Sequence, residues 1–284
     1  MKQFFIIISI IIACVSVVDA QERHSFSVNL GGGRHNIDYD LGSRGDKTPG
    51  SGFVGGLGWQ WFFTGHWGVG AGVNIHTLKT TSTLAYTQSN ENLTDPENGL
   101  GYTANIVFDR LKEVDKQSVM DIPLSVYYQI PFLERWRVCV GASLVYSAVL
   151  SQSYKTDGGS VSLGKYFPEY DLDYSNLDDK EHGVYAASDF SGDMNLKKSL
   201  FGVGGDAQVC YAVGEQRRME ITFGIYGVYR FADQQKNSKS DLMDAKTFEY
   251  KGVTQSNISG KISSASLGCM VGVRFHIGGK EAEE

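Results

Sequence analysis

The sequence predicts an all-β chain, an antiparallel up-and-down transmembrane β-barrel of eight strands, with ten as the alternative. Three observations predict it. Apolar residues recur with period two along most of the chain, the gaps between the alternating runs are long and short in turn, and all four tryptophans lie beside short gaps. In a strand, residues i and i+2 share a face. A barrel that crosses a membrane has an apolar outer face, a polar interior, short turns at one end and long connections at the other.

Residues 1–20 read as a secretory signal. Lys2 supplies the charged start, Phe4 to Val18 the apolar run, and Val18-Asp19-Ala20 a small-residue cleavage pattern. The barrel is then expected over 21–277, followed by a short tail, 278–284. No later run approaches the roughly 20 apolar residues of a membrane-spanning helix. Fifteen Tyr, fifteen Phe and four Trp are too many for a disordered chain. A net charge of −6 without basic clusters argues against nucleic acid as a partner.

The strands follow in order. After segments 24–32 and 52–63, Trp67, Val69, Ala71, Val73 and Ile75 alternate with Gly68, Gly70, Gly72, Asn74 and His76. One face is wholly apolar and the other small or polar. Met120, Ile122, Leu124, Val126, Tyr128 and Ile130 alternate with Asp121, Pro123, Ser125 and Gln129. Trp136, Val138, Val140, Ala142, Leu144 and Tyr146 alternate with Arg137, Cys139, Gly141 and Ser143. Three further runs complete the set: Phe201 to Tyr211, Met219 to Tyr229 and Ala265 to Phe275. The stretch Tyr102 to Leu111 alternates weakly and could pair with Ser82 to Tyr86, extending the wall or raising the count to ten. Strands of this length exceed the roughly 9–11 residues needed to cross at a tilt, so the excess projects beyond the outer leaflet.

The short gaps fall at Thr64 to His66, Pro131 to Arg135 and Gly214 to Gln216. The long ones cover 33–51, 79–116, 152–197 and 232–259 and are expected to be external loops. Trp59, Trp61, Trp67 and Trp136 then share one level as an aromatic girdle at the periplasmic interface. Residues 152–197 carry nine acidic and seven aromatic side chains, making an acidic, tyrosine-rich external loop.

An eight-stranded barrel is filled by its own side chains. The inward charges Asp121, Arg137, Asp206, Arg218, Glu220, Arg230 and Arg274 are therefore expected to pair with one another as a polar plug. Cys139 and Cys210 face inward as buried thiols, with a bridge as the alternative if the registers align. Asp171, Asp173 and Asp179 have part of the spacing of a calcium loop, but Asn176 replaces the turn glycine and His182 the closing carboxylate, so any Ca²⁺ site is weak. His76 faces inward near the external end of its strand; no serine or aspartate is tied to it by spacing, so no enzyme is predicted. Glycine clusters 31–33 and 202–205 lack a following helix and cradle no phosphate, and no cofactor is implied.

With these features in place the chain resembles the small outer-membrane β-barrel proteins, the OmpA-like and OmpX-like group and in particular the barrels of Bacteroidetes-type bacteria. Met120-Asp-Ile-Pro-Leu-Ser-Val-Tyr-Tyr128 is similar to a strand common there. Gly272, Phe275 and Ile277 fit the last-strand signal read by the assembly machinery, although Met270 replaces its polar residue and 278–284 follow where that group ends on an aromatic. The resemblance implies an outer-membrane location in a Gram-negative cell. It also implies contact with membrane lipid and lipopolysaccharide, handling by periplasmic chaperones and barrel-assembly machinery, and an extracellular or envelope protein as partner. A narrow pore or a secretion- or assembly-apparatus component is the alternative role, and an outer-membrane lipid-modifying enzyme or protease comes third.

Overall fold

The computed structural model describes residues 23–95, 98–174, 184–186, 190–236 and 240–277. The signal segment and the C-terminal tail lie outside the described residues, so their expected boundaries are not part of the fold. In chain order the strands are β1 (Arg23–Asp38), β2 (Gly45–Pro49), β3 (Ser51–Phe62), β4 (Trp67–Thr94), β5 (Gly101–Leu133), β6 (Trp136–Thr156) and β7 (Ser160–Phe167). β8 (Leu172–Tyr174), β9 (Val184–Ala186), β10 (Ser191–Asp193), β11 (Ser199–Val213), β12 (Met219–Arg230) and β13 (Ser263–Ile277) follow.

Eight of these form a closed antiparallel ring in the order β1-β3-β4-β5-β6-β11-β12-β13, with β13 returning to β1. Closure leaves no sheet edge in the wall, so its backbone groups are satisfied without water. The stagger follows from the register. Starting at Phe26 and stepping through Trp59, Ala71, Leu124, Leu144, Val203, Tyr229 and Ala265, the path returns to β1 at Asn36, ten residues further along. Eight strands with that stagger imply a tilt of roughly 40° and a backbone radius of roughly 8 Å.

The outer wall is apolar over a limited height. Phe26, Val28 and Leu30 on β1, Leu57 on β3, Val73 and Ile75 on β4, and Leu124 and Val126 on β5 are all exposed. So are Leu144 on β6, Val203 on β11, Phe223 and Ile225 on β12, and Leu267 and Val271 on β13. Leu144 is 69% exposed, the state of a surface whose natural solvent is not water. β4 records where this belt stops. Its outward residues run Trp67, Val69, Ala71, Val73, Ile75 and then Thr77, Lys79, Thr81, Thr83, while its inward ones run Gly68, Gly70, Gly72, Asn74, His76 and then Leu78, Thr80, Ser82, Leu84. Above residue 76 greasy and polar faces exchange sides, as they must where hydrocarbon gives way to water.

Past that exchange the connection read as a long loop takes up the hairpin that could extend the wall. Residues 79–94 and 101–116 are strand: Leu84 pairs with Leu111 and Tyr86 with Phe108, so the wall is extended while the ring keeps eight strands. A bulge between those two pairs leaves Arg110 with φ +48°. β2 adds to β4, and β7 adds to the distal part of β5. Segments 231–236 and 240–262, nearly devoid of regular structure, fold inward. Together they enclose a second core above the barrel that includes Ile37, Tyr39, Leu84, Phe108, Leu111, Leu163, Met243, Tyr250, Val253 and Ile262. This end of the barrel is a packed cap.

Candidate functional site

Two polar layers fill the lumen, one near each end of the belt. Between them Tyr127 lies flat against the wall because its neighbours lack side chains. A Cβ at Gly141 would meet its ring at 2.6 Å and one at Gly70 at 2.9 Å. Glycine here makes room for an aromatic filler in a narrow barrel.

The lower layer centres on Glu220, fully buried on β12. Its carboxylate takes Arg137 at 2.5 Å, Arg274 at 3.4 Å and His276 at 3.2 Å. Arg274 also donates to Gln208 at 3.2 Å, and Arg137 to Gln129 at 3.3 Å. The register makes this meeting possible, because Glu220 and Arg274 are direct cross-strand partners. The upper layer centres on Asp121, which pairs with Arg230. The Arg230 Nε donates to Asp121 at 3.1 Å and to Ser147 at 3.1 Å, and Ser147 donates to Asp121 at 2.5 Å. His76 stands 3.3 Å from Asp121. His35 shares a 2.5 Å hydrogen bond with the Tyr226 hydroxyl and contacts the Thr77 carbonyl at 2.9 Å.

Of the seven charges expected in the lumen, Asp121, Arg137, Glu220, Arg230 and Arg274 come together in these two layers. Asp206 faces inward but accepts from Gln208 at 2.7 Å and forms no ion pair among the described residues, an amide standing where an arginine was expected. Arg218 is a correction: it is exposed and precedes β12, because the turn extends to Arg218 and the strand begins at Met219. Cys139 and Cys210 lie on adjacent strands, paired with Gln208 and Arg137 respectively, and are free and buried. Trp67 packs on Tyr128 at 4.8 Å, Trp136 on Tyr211 at 4.7 Å, and His24 stacks against Trp59 and Trp61, all near the short turns. Gly272 faces inward, while Phe275 and Ile277 face out on the last strand. Asp171 and Asp173 are exposed, and Asp171 accepts from the Tyr166 hydroxyl at 2.9 Å. Asp179 lies outside the described residues, and among the described residues no three acidic, His or Cys side chains gather for a metal.

Sequence reasoning missed three features. Tyr146 and Phe201, 5.4 Å apart, join exposed Phe53, Tyr229 and Phe231 as aromatics along the external edge of the belt. His35 and Tyr226 complete the upper layer. The third is a pair of carboxyls in the cap. Counting inward positions down β5 from Asp121 by twos reaches Asp115 and Glu113, and continuing the strand through the expected loop would have found them. Glu113 accepts from Tyr250 at 2.7 Å and from the Val253 amide at 2.9 Å, while Asp115 accepts from Tyr39 at 2.6 Å. Tyr154 and Ser82 also face this pair, and no cation does among the described residues.

A closed antiparallel ring, apolar outside and ion-paired inside, defines the class: a small β-barrel built to stand in a bilayer. No family model matches the chain, and a search of curated proteins finds none similar to it. Solved structures similar to it include neisserial surface protein A (NspA), at 11% identity and TM-score 0.37, covering 89% of this chain and 96% of that one. The outer membrane protein OprG from Pseudomonas aeruginosa follows at 10% and 0.37, covering 91% and 97%. Ail, the attachment invasion locus protein of Yersinia pestis, solved with the heparin analogue sucrose octasulfate, stands at 10% and 0.29, covering 89% and 99%.

Glu220→Ala removes the one carboxylate shared by Arg137, Arg274 and His276. It should cost about 3–5 kcal/mol through stranded buried charge, read as a lower urea midpoint for loss of the folded band in detergent micelles. Glu220→Gln, which keeps an acceptor, should lose less.

The cap carries a pH dependence. Burial, and then the neighbouring Asp115 carboxyl, push Glu113 well above the usual carboxylate range, and burial raises Asp115 to about 6. Groups raised on folding stabilise below their unfolded value and lose that contribution as pH rises through the folded one. The protection factor of the Val253 amide, corrected for base-catalysed intrinsic exchange, should therefore fall between pH 5 and pH 8 by a stability change on the order of 1–3 kcal/mol, and Glu113→Gln should flatten the profile.

Proposed function

We propose that the chain is a non-enzymatic outer-membrane barrel of a Gram-negative envelope. It is exported by its N-terminal signal, handled by periplasmic chaperones and inserted by barrel-assembly machinery that reads Gly272, Phe275 and Ile277. Its belt anchors it, its lumen is a plug, and its cap is a contact surface for lipopolysaccharide and for an envelope or extracellular protein. One observation carries this reading: an exposed apolar belt wraps a lumen whose buried arginines are paired with internal carboxylates. Arg230 and Arg274 are at most 1% exposed, a state that belongs to a stopper held in place, because freeing either guanidinium would strand a buried charge.

The cap supplies the contact surface. Tyr170, Leu172 and Tyr174 are exposed on and before β8, beside Glu169, Asp171 and Asp173. Exposed aromatics among acids, on an element clear of the belt, suit recognition of a partner. In the upper layer the Ser147 hydroxyl donates to Asp121, and Ser147, Asp121, His76 and Arg230 are all buried, which suits a plug.

Purified, refolded protein in a planar bilayer should give no stable conductance steps at neutral pH. Reproducible single-channel openings would contradict the plug and favour the pore.

A further inference from the structure

Lys79 on β4 and Lys116 on β5 are direct cross-strand partners, both exposed on the outward face. Like charges placed directly opposite each other in a sheet repel and destabilise the pairing. Here no acid relieves them: neither lysine has a carboxylate partner among the described residues. By register the nearest outward carboxylates are Asp46, opposite Thr83 and four residues along β4 from Lys79, and Asp193, in the row of Lys116 but one strand beyond Ser153, and neither forms an ion pair with the two lysines. Hydroxyls surround it instead, with Thr81 and Ser118 next along the two strands and Ser153 opposite Lys116.

The height of the pair gives the repulsion a meaning. The last apolar outward row is Ile75 with Met120, themselves cross-strand partners. Thr77 with Ser118 is the next row, and Lys79 with Lys116 the one after. Two outward rows at the barrel's tilt are roughly 10 Å along the membrane normal, just beyond the hydrocarbon and at the depth of the polar headgroups. Lysine stems can bend back along the wall and bring both ammoniums down into that layer. The outward Arg34 on β1, cross-strand partner of the belt residue Leu267, adds another cation near this edge.

We propose that Lys79 and Lys116 form a binding site for the phosphate of an anionic lipid headgroup in the leaflet on the cap side. One phosphate held between the two ammoniums removes their repulsion, and the neighbouring hydroxyls donate to its remaining oxygens. The lipid's acyl chains lie against Ile75, Met120 and Ile122 directly below. This inference rests on the membrane reading given above and names the lipid chemistry at one place on the wall.

The test uses the refolded full chain in phosphatidylcholine vesicles, with or without a diphosphorylated glycolipid. Flotation reports insertion, and native mass spectrometry after detergent extraction reports retained lipid. Wild type should retain the phosphorylated glycolipid and not its dephosphorylated form. K79Q/K116Q should weaken retention about tenfold or more while still floating, and K251Q, on the cap, should behave as wild type. Equal retention by wild type and K79Q/K116Q overturns the proposal, as does equal retention of the dephosphorylated lipid. Displacement of the glycolipid by inorganic phosphate at matched concentration would mark a free-anion site and also overturn it. Failure of wild type to float at all removes the membrane reading, and the proposal with it.

Discussion

Hydrocarbon on the outside of the wall is the constraint from which the rest of this structure follows. A sheet in contact with lipid cannot leave backbone amides or carbonyls unpaired, so it must close, and the return of β13 to β1 closes it. Lipid rewards no polar side chain, so the outward positions are given to residues such as Leu57, Leu124, Leu144 and Phe223. A ring of eight strands is then too narrow for an aqueous channel. The polar residues displaced from the outer face must satisfy one another inside. Closure, belt and ion-paired lumen are consequences of one solvent.

The cap obeys the opposite rule with the same strands. Beyond His76 on β4 and Val119 on β5 the wall meets water outside, and the inward positions become Leu78, Leu84 and Leu111. The second core is that of a soluble domain, organised around segments 231–236 and 240–262. A departure is the Glu113–Asp115 pair, which draws Tyr250, Val253 and Tyr39 onto a single spot of the wall. The pair ties two chain segments, one from the first external connection and one from the last, to the longest hairpin.

Much of the barrel was legible because period-two alternation is local. Each strand from Trp67 to His76, or from Met120 to Ile130, states its own faces, and the position of the short turns places the tryptophans. The cap was not legible in the same way. Its strands exchange polar and apolar faces at the belt edge, so the pattern that marks a lipid-facing strand stops at Ile75 and Met120 even though the strand continues. The lumen lies between these cases. Parity placed Asp121, Glu220, Arg230 and Arg274 inside, but which charges meet depends on register, and a one-position error in the start of β12 put Arg218 inside with them. His35 was missed because glycines 31–33 hide the alternation of β1 just where it approaches the upper layer.

Depth-resolved fluorescence quenching tests the account most directly. A tryptophan placed at Leu144, in the middle of the belt, with the native tryptophans replaced by phenylalanine, would be reconstituted into vesicles of lipids brominated at different acyl positions. Quenching strongest for bromine near the chain ends is the predicted result, because this position faces the bilayer centre. Quenching independent of bromine position, or emission characteristic of water, would contradict a wall that stands in hydrocarbon.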